Sequence, residues 1–76
     1  MIILVSNQTK EGGEVQMTAH QMQALSQALN GSRHVALCQR LTTMYNRLAN
    51  DLPVRVLFTT AEIETLREFA DALPEV

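Results

Sequence analysis

The chain has 76 residues, of which 46% are hydrophobic, and its formal net charge is −2. A chain of this length buries only about 60% of the surface that its unfolded form exposes, so we expect residues 1–76 to form one compact domain with a small core. The composition excludes a disordered chain. The net charge argues against a dedicated nucleic-acid-binding protein, because such proteins normally carry a strongly basic face.

The single cysteine, Cys38, excludes a disulfide within the chain. Domains of fewer than about 80 residues usually depend on disulfides, a metal or a partner subunit, so we predict a homodimer. A lone cysteine is typical of a reducing compartment, and no stretch approaches the roughly 18 apolar residues of a membrane helix. These features predict a cytoplasmic protein that needs no cofactor and contacts no membrane.

Residues 2–5 form a continuous apolar run, which predicts a strand that is covered on both faces or lies in the centre of a sheet. The glycine-containing stretch 10–13 predicts a turn, and residues 14–17 are expected to return as an antiparallel partner. Residues 54–58 predict a further strand. Its inward face would consist of Val54, Val56 and Phe58.

A first helix is predicted over residues 19–30, because Thr18 and Gln21 match the capping-box pattern. Gly31 is expected to end this helix in the left-handed conformation, and Ser32 to cap the next helix at once. The expected result is a tight pair of antiparallel helices. Its first apolar face would contain Met22, Leu25 and Leu29.

The second helix is predicted over residues 33–50, and Pro53 follows its end. A second capping box, formed by Thr59 and Glu62, predicts a third helix that runs to about Leu73. The apolar positions of the two helices recur at helical spacing. They are Leu37, Leu41, Met44 and Leu48 in the second, and Ile63, Leu66, Phe69, Ala70 and Leu73 in the third.

Together these elements predict a small two-layer α+β domain, with two or three strands packed on a helical hairpin and a C-terminal helix, in the order β-(β)-α-α-β-α. A nearly all-helical packing of the three helices is the alternative. Residues 15–18 and 56–59 both lead into a capped helix, and the positions that follow match at a spacing of 41 residues. A duplication and a common local pattern both explain this similarity.

Residues with catalytic potential are few. The chain has no phosphate-binding glycine loop, paired-cysteine motif or nucleophile-elbow serine. His34 and Cys38 lie four residues apart, a spacing that suits an activated thiol or two zinc ligands, with His20 as a conceivable third. A buried, inert thiol beside a boundary histidine explains the pair more simply. We therefore predict no enzyme and no metal site.

Arg33, Arg40 and Arg47 recur every seven residues and so form one stripe along the second helix, in a segment with no acidic residue. Guanidinium groups bind carboxylates and phosphates, so three interpretations are open: pairing with acidic residues of this chain or of a second copy, with an acidic partner, or with nucleic acid. The acidic residues available in the last segment are Glu62, Glu64, Glu68, Asp71 and Glu75.

The outward faces of the first two helices carry no formal charge, whereas solvated helices usually carry Lys and Glu. Their polar positions are His20, Gln23 and Gln27 in the first helix, and Gln39, Thr42, Thr43, Asn46 and Asn50 in the second. We expect these faces to be a contact surface rather than a merely polar one. The predicted partner-binding residues are Gln23, Gln27, Arg33, Gln39, Arg40, Thr43, Asn46 and Arg47.

The sequence thus predicts a non-catalytic protein-binding module, such as a small regulator, an adaptor, or an inhibitor of the kind that phages and mobile elements encode. No motif distinguishes among these. The alternative is a nucleic-acid-binding regulator that uses Arg33, Arg40 and Arg47 on phosphates. A DNA-reading helix pair is disfavoured, because the exposed face of the second helix is neutral apart from Arg33 and His34.

Overall fold

Three antiparallel strands form one open sheet, and three helices accompany it. The computed structural model describes residues 1–74, so Glu75 lies outside the described residues. The chain order is β-β-α-α-β-α, which confirms the predicted α+β fold class. The elements are β1 (Leu4–Ser6), β2 (Gly12–Met17), α1 (Ala19–Leu29), α2 (Val35–Arg47), β3 (Val54–Thr59) and α3 (Thr60–Ala70).

The sheet has the strand order β1-β2-β3, with β2 in the centre. Val5 of β1 lies opposite Val15, and Val15 in turn lies opposite Val56 of β3. The prediction that the first apolar run is central, or covered on both faces, is therefore wrong: β1 is a short edge strand. Apolar composition alone cannot separate these cases, because Ile2 and Leu4 are apolar and yet exposed.

One face of the sheet is buried and the other is open. Val15, Met17 and Phe58 are buried, and Val54 and Val56 pack against them, so the predicted inward face of β3 is confirmed. The alternate residues of the same strands point the other way, since successive side chains of a strand lie on opposite faces. The remaining core members come from the helices and the segment before β1: Met1, Met22, Leu25, Leu29, Leu37, Leu41, Ile63, Leu66 and Ala70.

Gly12 is the first residue of β2 and not part of a turn, so the strand begins two residues earlier than predicted. A Cβ atom at Gly12 would lie 2.1 Å from the carbonyl oxygen of Phe58. This contact is far shorter than any carbon approaches an oxygen without a bond, so only glycine lets β2 pair with β3 at this point.

Both predicted capping boxes are confirmed. The Thr18 hydroxyl accepts from the Gln21 N–H at 3.2 Å, and the Gln21 side chain accepts from the Thr18 N–H at 2.9 Å. Thr59 and Glu62 exchange the same two bonds at 3.2 and 2.9 Å. Each box satisfies two N–H groups that a helix start otherwise leaves without a partner, which fixes where α1 and α3 begin.

The second helix is shorter than predicted at both ends, covering Val35–Arg47 instead of residues 33–50. Ser32 does not cap it. The Ser32 hydroxyl donates to the Leu29 carbonyl at 2.6 Å and accepts from the His34 N–H at 3.1 Å, so it closes the turn and His34 becomes the N-cap residue. The expected left-handed glycine is confirmed at Gly31, with φ of 84°.

The third helix ends at Ala70, before the predicted limit near Leu73. The backbone nitrogen of Met1 donates to the carbonyl oxygens of Ala70, at 3.0 Å, and Leu73. These carbonyls therefore have partners although the helix has ended, and the segment before β1 is tied to the end of α3.

Candidate functional site

A polar contact fixes α1 against α2. Ser26 of α1 is buried, and its hydroxyl lies 2.6 Å from that of Thr42, which itself donates to the Cys38 carbonyl at 2.9 Å. The Cys38 thiol donates to the Ser26 carbonyl at 3.3 Å. Thr42 was expected to face outward, so this expectation is wrong, because its hydroxyl satisfies the buried Ser26.

The predicted partner-binding residues are all exposed. Cys38 and Thr42 of α2 contact α1, and Gln39 and Thr43 directly follow them in the sequence. Since each residue of a helix is rotated by about 100° from the one before it, Gln39 and Thr43 lie on the side of α2 away from its buried Leu37 and Leu41. Gln23 and Gln27 of α1 are exposed and lie about 60° and 100° round the helix from the buried Ser26, so both flank its contact with α2. We call these five residues the polar helix surface: Gln23, Gln27, Gln39, Thr43 and Asn46.

Arg40 is engaged within the chain. Its guanidinium lies 3.3 Å from the carboxylate of Glu62 and 4.6 Å from the ring centroid of Phe58, and it also donates to the carbonyl of Leu57. Pairing with an acid of the last helix, one of the three interpretations of the arginine stripe, therefore holds for Arg40. The Leu57 bond also occupies a backbone acceptor of the edge strand β3.

The three arginines are not equivalent. Arg33 lies in the turn before α2, while Arg47 is the last residue of that helix. Both are exposed, and within residues 1–74 neither forms an ion pair. Of the three arginines, Arg40 is thus bound within the chain, and Arg33 and Arg47 are exposed on either side of it. Two separated guanidinium groups would bind a row of phosphates less well than three exposed ones.

His34 and Cys38 contact different elements. The His34 ring meets Phe69 of α3 edge-on, with centroids 5.6 Å apart, whereas Cys38 bonds to Ser26 of α1. Among the residues that the structure describes, no three His, Cys, Asp or Glu side chains lie close enough to hold a metal ion. His20 is paired with Asp51 instead.

The His20–Asp51 pair joins the start of α1 to the segment before β3. One carboxylate oxygen of Asp51 accepts from the His20 N–H at 3.0 Å, and the other lies 2.7 Å from Nδ1 of the ring. The bond from the His20 backbone is the main reason why the pKa of Asp51 lies below its ordinary value of 3.8, and the His20 side chain lowers it further. The sequence shows no signal of this contact, because the two residues are 31 positions apart.

The open sheet face is a second surface that the sequence interpretation missed. Its apolar members are Ile2, Leu4 and Leu57, with exposed fractions of 65%, 57% and 68%. Leu57 could have been identified, since it alternates with the inward Val56 and Phe58 and must therefore point away from them. The face also carries the polar side chains of Glu14, Gln16 and Arg55.

Comparison of the chain with protein-family models, with curated proteins and with solved structures finds no match in any of the three. Within residues 1–74, every helix is too short or too polar to span a membrane. The surfaces of the chain itself are therefore what indicates a function.

Proposed function

We propose that the chain is a non-catalytic protein-binding module that contacts its partner through the polar helix surface. The observation that carries this proposal is the exposure of five uncharged polar side chains on two adjacent helices. Surfaces that stay in water usually carry lysine and glutamate, whereas the centres of protein interfaces are depleted in them. The exposed Glu64, Arg67 and Glu68 of α3 give the contrast within this chain, since they make an ordinary solvated face.

The packing beneath this surface supports the proposal. The Ser26–Thr42 and Cys38–Ser26 bonds set the rotation of α1 relative to α2. The glutamine and asparagine side chains above them therefore stand on a backbone that is already ordered, which lowers the entropy lost on binding. Their amides both donate and accept, so the partner surface we expect is polar and uncharged at its centre.

The border of the surface suggests how a partner is oriented. Arg33 and Arg47 are exposed near opposite ends of α2 and are free to meet acidic groups at the rim of a partner. Rim charges of this kind mainly raise the association rate and fix the orientation. We propose a cytoplasmic role as a small regulator, adaptor or inhibitor, because Cys38 is a free thiol and the chain is short.

The double variant Gln39→Glu with Asn46→Lys tests the proposal. A photo-crosslinking residue at Gln23 would first identify the partner in extracts of the source cells, and calorimetry would then measure its affinity. We expect the double variant, whose net charge is unchanged, to bind at least about tenfold more weakly. Unaltered circular dichroism and unfolding would show that the fold is intact.

The matched control is Glu64→Gln with Arg67→Gln, which also leaves the net charge unchanged but alters the solvated face of α3. Binding that survives the first double variant and is lost in the second would contradict the proposed surface.

Binding of nucleic acid by Arg33 and Arg47 is the competing outcome. Phosphate binding weakens steeply with salt, whereas a neutral interface is little affected. If a co-purified nucleic acid dissociated with rising salt, and Arg33→Gln with Arg47→Gln abolished its binding, the protein-binding proposal would be replaced. The engagement of Arg40 with Glu62 counts against this outcome.

A further inference from the structure

The two edges of the sheet differ in length. Within residues 1–74 the sheet has three strands, so β1 and β3 each lack a neighbouring strand on one side. The strand β1 has only three residues, and Asn7, with φ of 52°, directly follows it in the left-handed region. The strand β3 has six residues, and an edge of this length is a template for pairing with another chain. The edge of β3 is therefore the one that needs protection.

The register shows which backbone groups of β3 point out of the sheet. In an antiparallel pair, opposite residues alternate between those that bond to each other and those whose N–H and C=O groups point away. The Thr60 N–H donates to the Glu11 carbonyl at 3.2 Å, one step beyond the ladder between β2 and β3. Counting back in twos from Thr60 gives the residues of β3 that bond to β2. The residues between them, which include Arg55 and Leu57, point their N–H and C=O groups outward.

The Arg40–Glu62 ion pair occupies two of the outward groups. The guanidinium of Arg40 donates to the carbonyl of Leu57, and the carboxylate of Glu62 accepts from the Thr59 N–H at 2.9 Å. The guanidinium is held in place by that carboxylate at 3.3 Å and by the Phe58 ring, whose centroid lies 4.6 Å away. One ion pair thus satisfies an acceptor and a donor at the edge of β3.

Without this pair, the edge of β3 would match the same edge of a second copy. If two β3 strands lie antiparallel about a twofold axis perpendicular to the sheet, with Val56 opposite Val56, then Arg55 of each copy lies opposite Leu57 of the other. All the outward groups of these two residues then bond, which gives four hydrogen bonds. Two of the four end on the Leu57 carbonyls, which Arg40 now occupies. No like charges lie directly opposite each other.

We propose that the Arg40–Glu62 pair closes the edge of β3 against strand addition by a second copy of this chain. Val54 and Val56 of β3 are only half-buried, whereas Val15 of the central strand is fully buried, so the other elements leave this edge partly accessible. The inference goes beyond the proposed function and does not depend on it, because it concerns the sheet and not the polar helix surface.

Arg40→Met tests the proposal. The variant removes the guanidinium but keeps an apolar stem beside Phe58, so we expect the fold to persist. Light scattering and sedimentation from about 1 µM to about 1 mM should show at least about tenfold stronger self-association than in the unaltered chain. The matched control is Arg67→Met, which makes the same change of charge and side chain at an exposed position of α3 and should associate as the unaltered chain does.

A methyl group on the backbone nitrogen of Leu57 distinguishes strand addition from a merely apolar contact. A chain of 76 residues is accessible to chemical synthesis, so N-methyl-leucine can be placed at this position together with Arg40→Met. The Leu57 N–H points out of the sheet, so its methylation leaves the bonds between β2 and β3 intact. We expect self-association to return to the level of the unaltered chain.

Thr18→Ala is the control for lost stability, since it weakens α1 without altering β3 and should not increase self-association. Three results would overturn the inference: Arg40→Met that associates no more strongly than the unaltered chain, association that the N-methyl group leaves unchanged, or equally strong association of Thr18→Ala. If Arg40→Met failed to fold, Glu62→Gln would make the same measurement, because it removes the charge that holds Arg40 and keeps an acceptor for the Thr59 N–H.

Discussion

Two parts of the chain follow the same local plan and meet different surroundings. In each, a strand leads through a threonine capping box into an amphipathic helix, as β2 leads into α1 and β3 into α3. Leu25 and Leu66 occupy the same position in the two helices, and both are fully buried. The shared plan explains the similarity at a spacing of 41 residues in the sequence without requiring a duplication.

The first difference lies eight residues after each threonine. Ser26 of α1 is buried against Thr42 of α2, whereas Arg67 of α3 is exposed. The helix α2 covers α1 on this side, and α3 has no corresponding neighbour among the described residues. Local sequence therefore determines where each helix starts, whereas the elements packed against the helix determine which further positions must be small.

The second difference concerns charge at the helix starts. In α3 the box itself supplies a carboxylate, that of Glu62, which also binds Arg40. In α1 the box uses the neutral amide of Gln21, and the carboxylate comes from Asp51. Because a helix N-terminus carries a partial positive charge, both helices gain from a nearby carboxylate, although they obtain it by different routes.

Exchanging the residues at the first difference should give the largest effect. Ser26→Arg would place a long charged side chain in the buried contact between α1 and α2. We expect the free energy of unfolding to fall by at least about 4 kcal/mol. A domain of this size has a total stability of the same order, so the variant should be largely unfolded. Denaturant unfolding followed by circular dichroism measures this.

The reciprocal variant, Arg67→Ser, serves as the control and should change stability by less than about 0.5 kcal/mol, since Arg67 is exposed. Similar losses in the two variants would contradict the conclusion that α2 alone makes the two positions different.

Arg40→Ala should have the next largest effect, about 1 to 2 kcal/mol, because it removes a partly exposed ion pair, the stacking on Phe58 and the bond to the Leu57 carbonyl. Arg33→Ala and Arg47→Ala should each change stability by less than about 0.5 kcal/mol. Thermal unfolding of the three variants checks this order. Equal effects would mean that the arginine stripe acts as a unit.

Removal of the capping hydroxyls should reduce stability by about 1 kcal/mol each in Thr18→Ala and Thr59→Ala. We expect a slightly larger loss at Thr18, because its side chain also helps to lower the pKa of Asp51. The variants Thr18→Ser and Thr59→Ser keep the hydroxyl, so their stability in urea unfolding should be close to that of the unaltered chain. A clearly larger loss at Thr59 would show that the Glu62–Arg40 pair depends on its box.

The local features of the fold could be predicted from the sequence, whereas the features that depend on contacts between distant segments could not. The capping boxes, Gly31 and the apolar faces of the helices were predicted, because each depends on residues within a few positions of one another. The edge position of β1 was missed, since strand order is a property of pairing between distant segments. The exposed helix residues could be derived from periodicity, whereas the open sheet face required knowing which side the helices cover.

The shortening of α2 has the same origin. Its polar residues near position 50 are compatible with a helix, and no local signal places its last residue at Arg47. The chain leaves the helix so that Asp51 can reach the start of α1, a contact between segments 31 residues apart. A tertiary contact thus overrides a weak local preference.

Asp51→Asn should give the smallest effect and a distinctive dependence on pH. The pKa of Asp51 is lowered below 3.8 in the folded chain, so its stabilising contribution is present above that value and is lost as the pH falls through the lowered pKa. The variant should therefore be less stable than the unaltered chain at neutral pH, and the gap should close on acidification. Urea unfolding at a series of pH values from about 7 to about 2.5 measures the gap. Glu64→Gln removes an exposed carboxylate that lies beyond the first turn of α3 and should not reproduce this pattern. A gap that stays constant down to the lowest pH would contradict this prediction, because it would show that the difference in stability between aspartate and asparagine at position 51 does not depend on the charge of the carboxylate.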